Sequence, residues 1–212
     1  MQNIGKSIHA LTNTGEMMNL VYLHGFKSNP MSLKAQQLGE YLAEHEPHIQ
    51  FHCPDLNFSP QQVMDDLSKF IESLDRVALI GSSFGGFYAT QMVARFGCPA
   101  VLINPAMRPW QLFAELYGQD QLPYTVAPTW TLTAVDLSVL SDLSFACFDR
   151  ADKMLVLLQQ GDEVLDYLEA QRYYNQQYPP AMVITEYGGN HAMDNFNEKI
   201  PMLLSFLKHS LY

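Results

Sequence analysis

Three residues in this chain have the types and settings that covalent acyl-transfer chemistry needs. Ser83 stands at the centre of Gly81-Ser82-Ser83-Phe84-Gly85, a G-x-S-x-G pattern. An apolar run, Val77 to Ile80, precedes it, and a helical pattern from Phe84 to Phe96 follows. In that context the serine occupies a sharp, strained turn from strand to helix. Side chains two residues before or after it would collide, so Gly81 and Gly85 belong there. The helix N-terminus then faces the site and favours negative charge that develops during reaction. The plainer reading is a Gly/Ser loop in which Ser82 caps an ordinary helix.

A serine hydroxyl is a weak nucleophile and needs a neighbouring base. His191 is the best placed of seven histidines, in Tyr187-Gly188-Gly189-Asn190-His191, directly after the last expected strand. His9, His45, His48 and His209 lie in the leader or at helix ends and read as solvated. His52 alternates on a strand and reads as structural, and His24 reads as a brace for its own loop. The base needs an acid to fix its tautomer and stabilise its charged form. Asp162, in Gln159-Gln160-Gly161-Asp162-Glu163-Val164-Leu165, sits at a strand end that suits this role. Its rivals are Glu163, expected to face solvent, Asp166, and Asp194, which could pair with His191 only locally. The order Ser83, Asp162, His191 is that of the α/β-hydrolases and differs from the orders in chymotrypsin- and subtilisin-type proteases. A tetrahedral intermediate also needs two N–H donors. The backbone N–H groups of Phe84 and of Phe26, the latter in Leu23-His24-Gly25-Phe26-Lys27-Ser28, are the candidates for this oxyanion hole. No histidine pair has metal-ligand spacing with a third ligand nearby, so neither a metal site nor a cofactor is expected.

Positioning such residues takes a scaffold of strands alternating with helices. The expected strands are Leu20–Leu23, Ile49–Cys53, Val77–Ile80, Ala100–Ile103, Met154–Leu158 and Met182–Thr185. The expected helices are Ser32–His45, one beginning at Ser59-Pro60-Gln61-Gln62, Phe84–Phe96, Tyr167–Tyr178 and Ile200–Leu211. Ser59 is the expected cap of its helix, with Gln62 as capping-box partner. This alternation predicts a mainly parallel sheet with helices on both faces. Residues 107–150 break the rhythm with aromatics, prolines and short helical fragments, and read as a small cap insertion above the sheet. Trp110, Phe113 and Tyr117 in that segment are candidates to line a substrate pocket, or else to pack the cap onto the sheet. Arg108 reads as solvated.

The 212 residues suit a single domain from residue 18 to 212, after a leader of uncertain status at 1–17. Hydrophobic residues are 48% and charged residues 16%, a globular composition. The net charge of -10 argues against a nucleic-acid partner and against anionic membrane surfaces. Three cysteines, Cys53, Cys98 and Cys147, lack CxxC spacing and point to a reducing compartment. No stretch has the apolar core of a signal peptide or the length of a membrane span, so the expected location is cytoplasmic.

Five motifs together give a resemblance. They are His24-Gly25-Phe26-Lys27-Ser28, Gly81-Ser82-Ser83-Phe84-Gly85-Gly86, Ile103-Asn104-Pro105-Ala106, Gly161-Asp162-Glu163-Val164-Leu165-Asp166-Tyr167 and Gly188-Gly189-Asn190-His191. Across about Asn19 to Leu211 the chain resembles the YqiA-type small bacterial esterases of the α/β-hydrolase superfamily. The resemblance implies an esterase or thioesterase with a small cap, acting on a small-molecule acyl ester or thioester, with Ser83, Asp162 and His191 as triad. The alternatives are an acyltransferase or amidase using the same residues, and a non-catalytic binding protein on this fold.

Overall fold

A computed structural model describes residues 17–118 and 122–211. The expected leader therefore lies outside the described residues, apart from Met17. Six strands form one sheet: β1 (Met18–Leu23), β2 (Ile49–His52), β3 (Val77–Ser82), β4 (Ala100–Ile103), β7 (Met154–Gln159) and β8 (Met182–Glu186). Their order is β2-β1-β3-β4-β7-β8, and every neighbouring pair is parallel. The helices around it are α1 (Leu33–His45), α2 (Pro60–Glu72), α3 (Phe84–Phe96), α6 (Tyr167–Asn175) and α7 (Phe196–Ser210).

The central strands β3, β4 and β7 are nearly unbroken apolar runs because both faces of the sheet are covered there. Along β1, Leu20 and Tyr22 enter one core with Leu38 of α1 and Leu203 of α7. Val21 and Leu23 enter the other, with Leu67 of α2, Met92 of α3 and Tyr174 of α6. The two-residue period of the strand thus feeds two cores at once.

The 107–150 segment holds α4 (Pro109–Tyr117), α5 (Ala134–Leu143) and an antiparallel pair, β5 (Tyr124–Ala127) with β6 (Trp130–Leu132). The pair was not expected from sequence. It is three to four residues a strand, with a register shift between Thr125 and Ala127, too short for alternation to register. Two further expectations are corrected. Helix α7 begins at Phe196, four residues before the expected Ile200, with Pro201 inside it. Ser59 sits at the start of α2 without a side-chain cap bond, and Gln62 donates instead to Asp66 Oδ2 at 2.8 Å. A true capping box forms in the inserted segment, between Thr133 and Asp136.

Among the described residues, no helix is long and apolar enough to cross a membrane, and no cluster of three metal-ligating side chains occurs. The cysteines are free: Cys98 is buried, Cys53 half-buried and Cys147 exposed. Burial pushes the thiols of Cys53 and Cys98 up to about 11, which makes them poor nucleophiles.

Candidate active site

The turn between β3 and α3 places Ser83 just beyond the end of the central strand. Its backbone is strained, at φ 54° and ψ −118°, a conformation that costs a non-glycine residue roughly 1–3 kcal/mol. Hydrogen bonds hold it there. Ser83 N donates to Ile103 O at 2.9 Å, and Ser83 O accepts from Gly86 N at 2.9 Å and Ala106 N at 3.0 Å. A Cβ on Gly81 would come within 2.8 Å of Ala89 Cβ, and one on Gly85 within 2.0 Å of the Leu23 carbonyl oxygen. No side chain fits at either position while the turn keeps this shape. Ser82, the helix cap of the plainer reading, is instead the last residue of β3 and buried.

His191 reaches Ser83 across the sheet edge. Its Nε2 lies 2.9 Å from Ser83 Oγ, and its Nδ1 lies 2.8 Å from Asp162 Oδ2. The Asp162 side chain is 2% exposed. Its second oxygen, Oδ1, accepts from Val164 N at 2.8 Å and Leu165 N at 2.9 Å. A buried carboxylate is tolerable when its lone pairs are filled in this way. With Nδ1–H donated to Asp162, Nε2 is left bare to accept the Ser83 hydroxyl proton.

The rival acids are engaged elsewhere. Glu163 is exposed as expected, yet its Oε2 accepts from His191 N at 3.0 Å, so it anchors the histidine's backbone. Asp166 caps α6 through Leu168 N. Asp194 accepts from Asn190 Nδ2 at 2.6 Å.

Two positioning residues escaped the sequence reading. Asn104, buried after β4, donates through Nδ2 to Asn190 O at 3.1 Å and His191 O at 3.2 Å, and accepts from Gln159 N at 3.0 Å. Gln159, buried at the end of β7, accepts from Asn190 N through Oε1 at 2.9 Å. Together they fasten the histidine loop to two strands. Buried amides at the ends of apolar strands were the available signal, in Ile103-Asn104-Pro105 and Leu158-Gln159.

The loop after β1 lies against the serine: a Cβ on Gly25 would sit 3.4 Å from Ser83 Cβ. His24 braces this loop. Leu56 N donates to its Nε2 at 3.0 Å, so Nδ1 carries the proton and donates to Gly25 O at 2.9 Å. Nε2 therefore has no proton for Asp55, although Asp55 Oδ1 lies 3.5 Å away. The loop places Phe26 beside the serine, and Phe84 follows it as the first residue of α3. The Phe26 ring is held by Phe113 at 4.3 Å, Trp130 at 5.7 Å and Phe84 at 6.1 Å between centroids. His52 lies away from the site and pairs with Asn19 Oδ1 at 2.9 Å.

Ser83, His191, Gly25 and Phe26 share a cavity of about 270 Å³. Trp110, Phe113 and Tyr117 do not border it. Phe113 is buried beneath the Phe26 and Phe84 rings. Tyr117 stacks on Tyr124 at 4.1 Å, with Lys27 Nζ over both rings. Trp110 lines a second cavity of about 660 Å³, where Arg108, half-exposed, is paired with Glu169.

Residues 19–208 match the family described as "Uncharacterised protein family (UPF0227)". The chain belongs to this family. Its fold is that of the α/β-hydrolases. Alpha/beta hydrolase domain-containing protein 10 from mouse is 14% identical, with 92% of this chain and 90% of that one covered and a TM-score of 0.73. Est1E from Butyrivibrio proteoclasticus is 17% identical, with 92% and 88% covered and a TM-score of 0.67. The esterase Pf2001 of Pyrococcus furiosus is 15% identical, with 93% and 82% covered and a TM-score of 0.63. At these identities the likeness is one of fold.

Proposed function

We propose that this UPF0227 member is a serine hydrolase that cleaves small-molecule carboxylic esters or thioesters through an acyl-enzyme. The single observation that supports the reading most is the unbroken relay from Ser83 Oγ to His191 Nε2, 2.9 Å, and from His191 Nδ1 to Asp162 Oδ2, 2.8 Å. These contacts lie within the range in which proton transfer is direct.

In the first step Ser83 Oγ attacks the carbonyl carbon while His191 Nε2 takes the hydroxyl proton. Asp162 holds the imidazole in place and offsets the charge it gains. The carbonyl oxygen becomes an oxyanion, met by the backbone N–H groups of Phe26 and Phe84. Collapse expels the alcohol or thiol, which leaves with the proton from His191. Water then attacks the acyl-serine, gives its proton to His191, and releases the acid and the free hydroxyl.

The test is hydrolysis of 4-nitrophenyl acetate by wild type and Ser83→Ala. The variant is expected to lose at least about 10⁴-fold in kcat, as removal of a triad nucleophile does, with an unchanged circular-dichroism spectrum. Wild-type turnover by the folded variant would contradict the reading.

A further inference from the structure

The small cavity holds more than the triad. The start of α1 also borders it, and from there Lys34 and Gln37 line the same space as Ser83 and the His191–Asp194 segment. They are three positions apart on the helix, so both side chains leave the same face. Both are half-buried. Neither makes a hydrogen bond or a close ion pair with any described residue. Burial lowers the Lys34 pKa, and the Asp194 carboxylate, which attracts it from beyond ion-pair range, restores only part of the loss. A partly dehydrated ammonium without a close partner is costly in an isolated protein, and an anion that enters the cavity removes that cost. Gln37 supplies amide donors alongside. The surrounding molecule has a net charge of -10, so this wall is a local exception to an acidic surface.

The cavity also indicates which end of a substrate would meet Lys34. None of the described residues of 107–150 borders it, whereas His191, Ala192, Met193 and Asp194 do. In the proposed reaction His191 Nε2 must hand its proton to the departing atom, so the departing group lies on this side. Resting on the hydrolase reading above, we propose that the preferred substrates carry an anionic group, a carboxylate or phosphate, on the leaving alcohol or thiol, with Lys34 as its counter-ion and Gln37 as a second donor. Asp194, exposed on the same cavity and held by Asn190, opposes the anion and sets an upper limit on its affinity.

The experiment compares two acetyl esters, phenyl acetate and 3-acetoxybenzoate, which differ by a carboxylate on the departing phenol. The readout is the ratio of their kcat/KM values. Wild type is expected to favour the benzoate, and 0.5 M NaCl to erode that preference. Lys34→Met should lower the ratio about tenfold, and Asp194→Asn should raise it about threefold, the scale of a single partly buried charge contact. A ratio that neither Lys34→Met nor salt changes overturns the proposal and leaves the hydrolase reading standing. A wild type that cleaves neither ester overturns both. An anionic preference seen only with mono-4-nitrophenyl glutarate, whose charge is on the acyl side, overturns the placement of the anion on the leaving group.

Discussion

Two cavities border the loops that follow the central strands, and they differ in the opposite sense to their size. The larger, about 660 Å³, has aromatic walls from Phe87, Trp110, Phe145 and Tyr173. Most of its polar groups already have partners: Arg108 with Glu169, Arg172 with Asp166 at 3.7 Å, and Thr90 Oγ1 with Tyr174 Oη at 2.7 Å. The smaller, about 270 Å³, contains the strained Ser83, the His191 relay and the unpaired Lys34. Volume measures how helices and an inserted segment happen to meet. Strain and unsatisfied polar groups are costs that persist where a reaction or a ligand uses them.

That contrast can be broken at several points. The largest effect is expected from Asp162→Asn. The amide cannot accept Nδ1–H in the same way and favours the wrong histidine tautomer, so kcat on 4-nitrophenyl acetate should fall about 10³–10⁴-fold. Thermal unfolding should change far less, because the neutral side chain keeps the volume of the original. A variant within tenfold of wild type would remove Asp162 from the relay.

Asn104→Ala comes next. It strips three hydrogen bonds from the buried junction between β4, β7 and the histidine loop. Stability to urea should drop by about 1–3 kcal/mol. In addition kcat should fall roughly tenfold while KM stays near its wild-type value, because a mispositioned base loses transition-state interactions alone. Equal losses in stability but none in kcat would make Asn104 a purely structural residue.

Gln91→Met should produce the smallest change. Gln91 is buried on the wall of the larger cavity, and its side chain makes no hydrogen bond to a described residue. Methionine keeps its length and apolar contacts, so stability should stay within about 1 kcal/mol of wild type. The kcat/KM on 4-nitrophenyl acetate should stay within about twofold. A large loss of activity would transfer substrate binding to the larger cavity and reverse the comparison.

Much of this arrangement was legible in the sequence, for reasons that differ by element. The sheet was readable because strands covered on both faces are continuous apolar runs, as at Val77–Ile80 and Met154–Leu158. The turn at Ser83 was readable because its geometry excludes side chains at Gly81 and Gly85, a constraint that leaves a residue pattern. Ser83, Asp162 and His191 could be nominated because each follows a strand, and the parallel sheet brings such ends to one edge. Asn104 and Gln159 were harder, since their role depends on a long-range meeting of two strands with one loop. Glu163 combined two properties that the sequence could not join: it is exposed, and it accepts the His191 backbone N–H. The β5–β6 pair was invisible because three or four residues carry no measurable period. Trp110, Phe113 and Tyr117 shared an aromatic character that says nothing of direction. One faces the larger cavity, one lies buried under Phe26, and one stacks on Tyr124.

The most direct test of the account is covalent labelling with a fluorophosphonate, followed by peptide mass spectrometry. A hydroxyl activated by the His191–Asp162 pair is expected to yield one adduct per chain, on the peptide containing Ser83, with labelling suppressed in His191→Ala. Folded protein that stays unlabelled at Ser83, or labels equally well without His191, would contradict it.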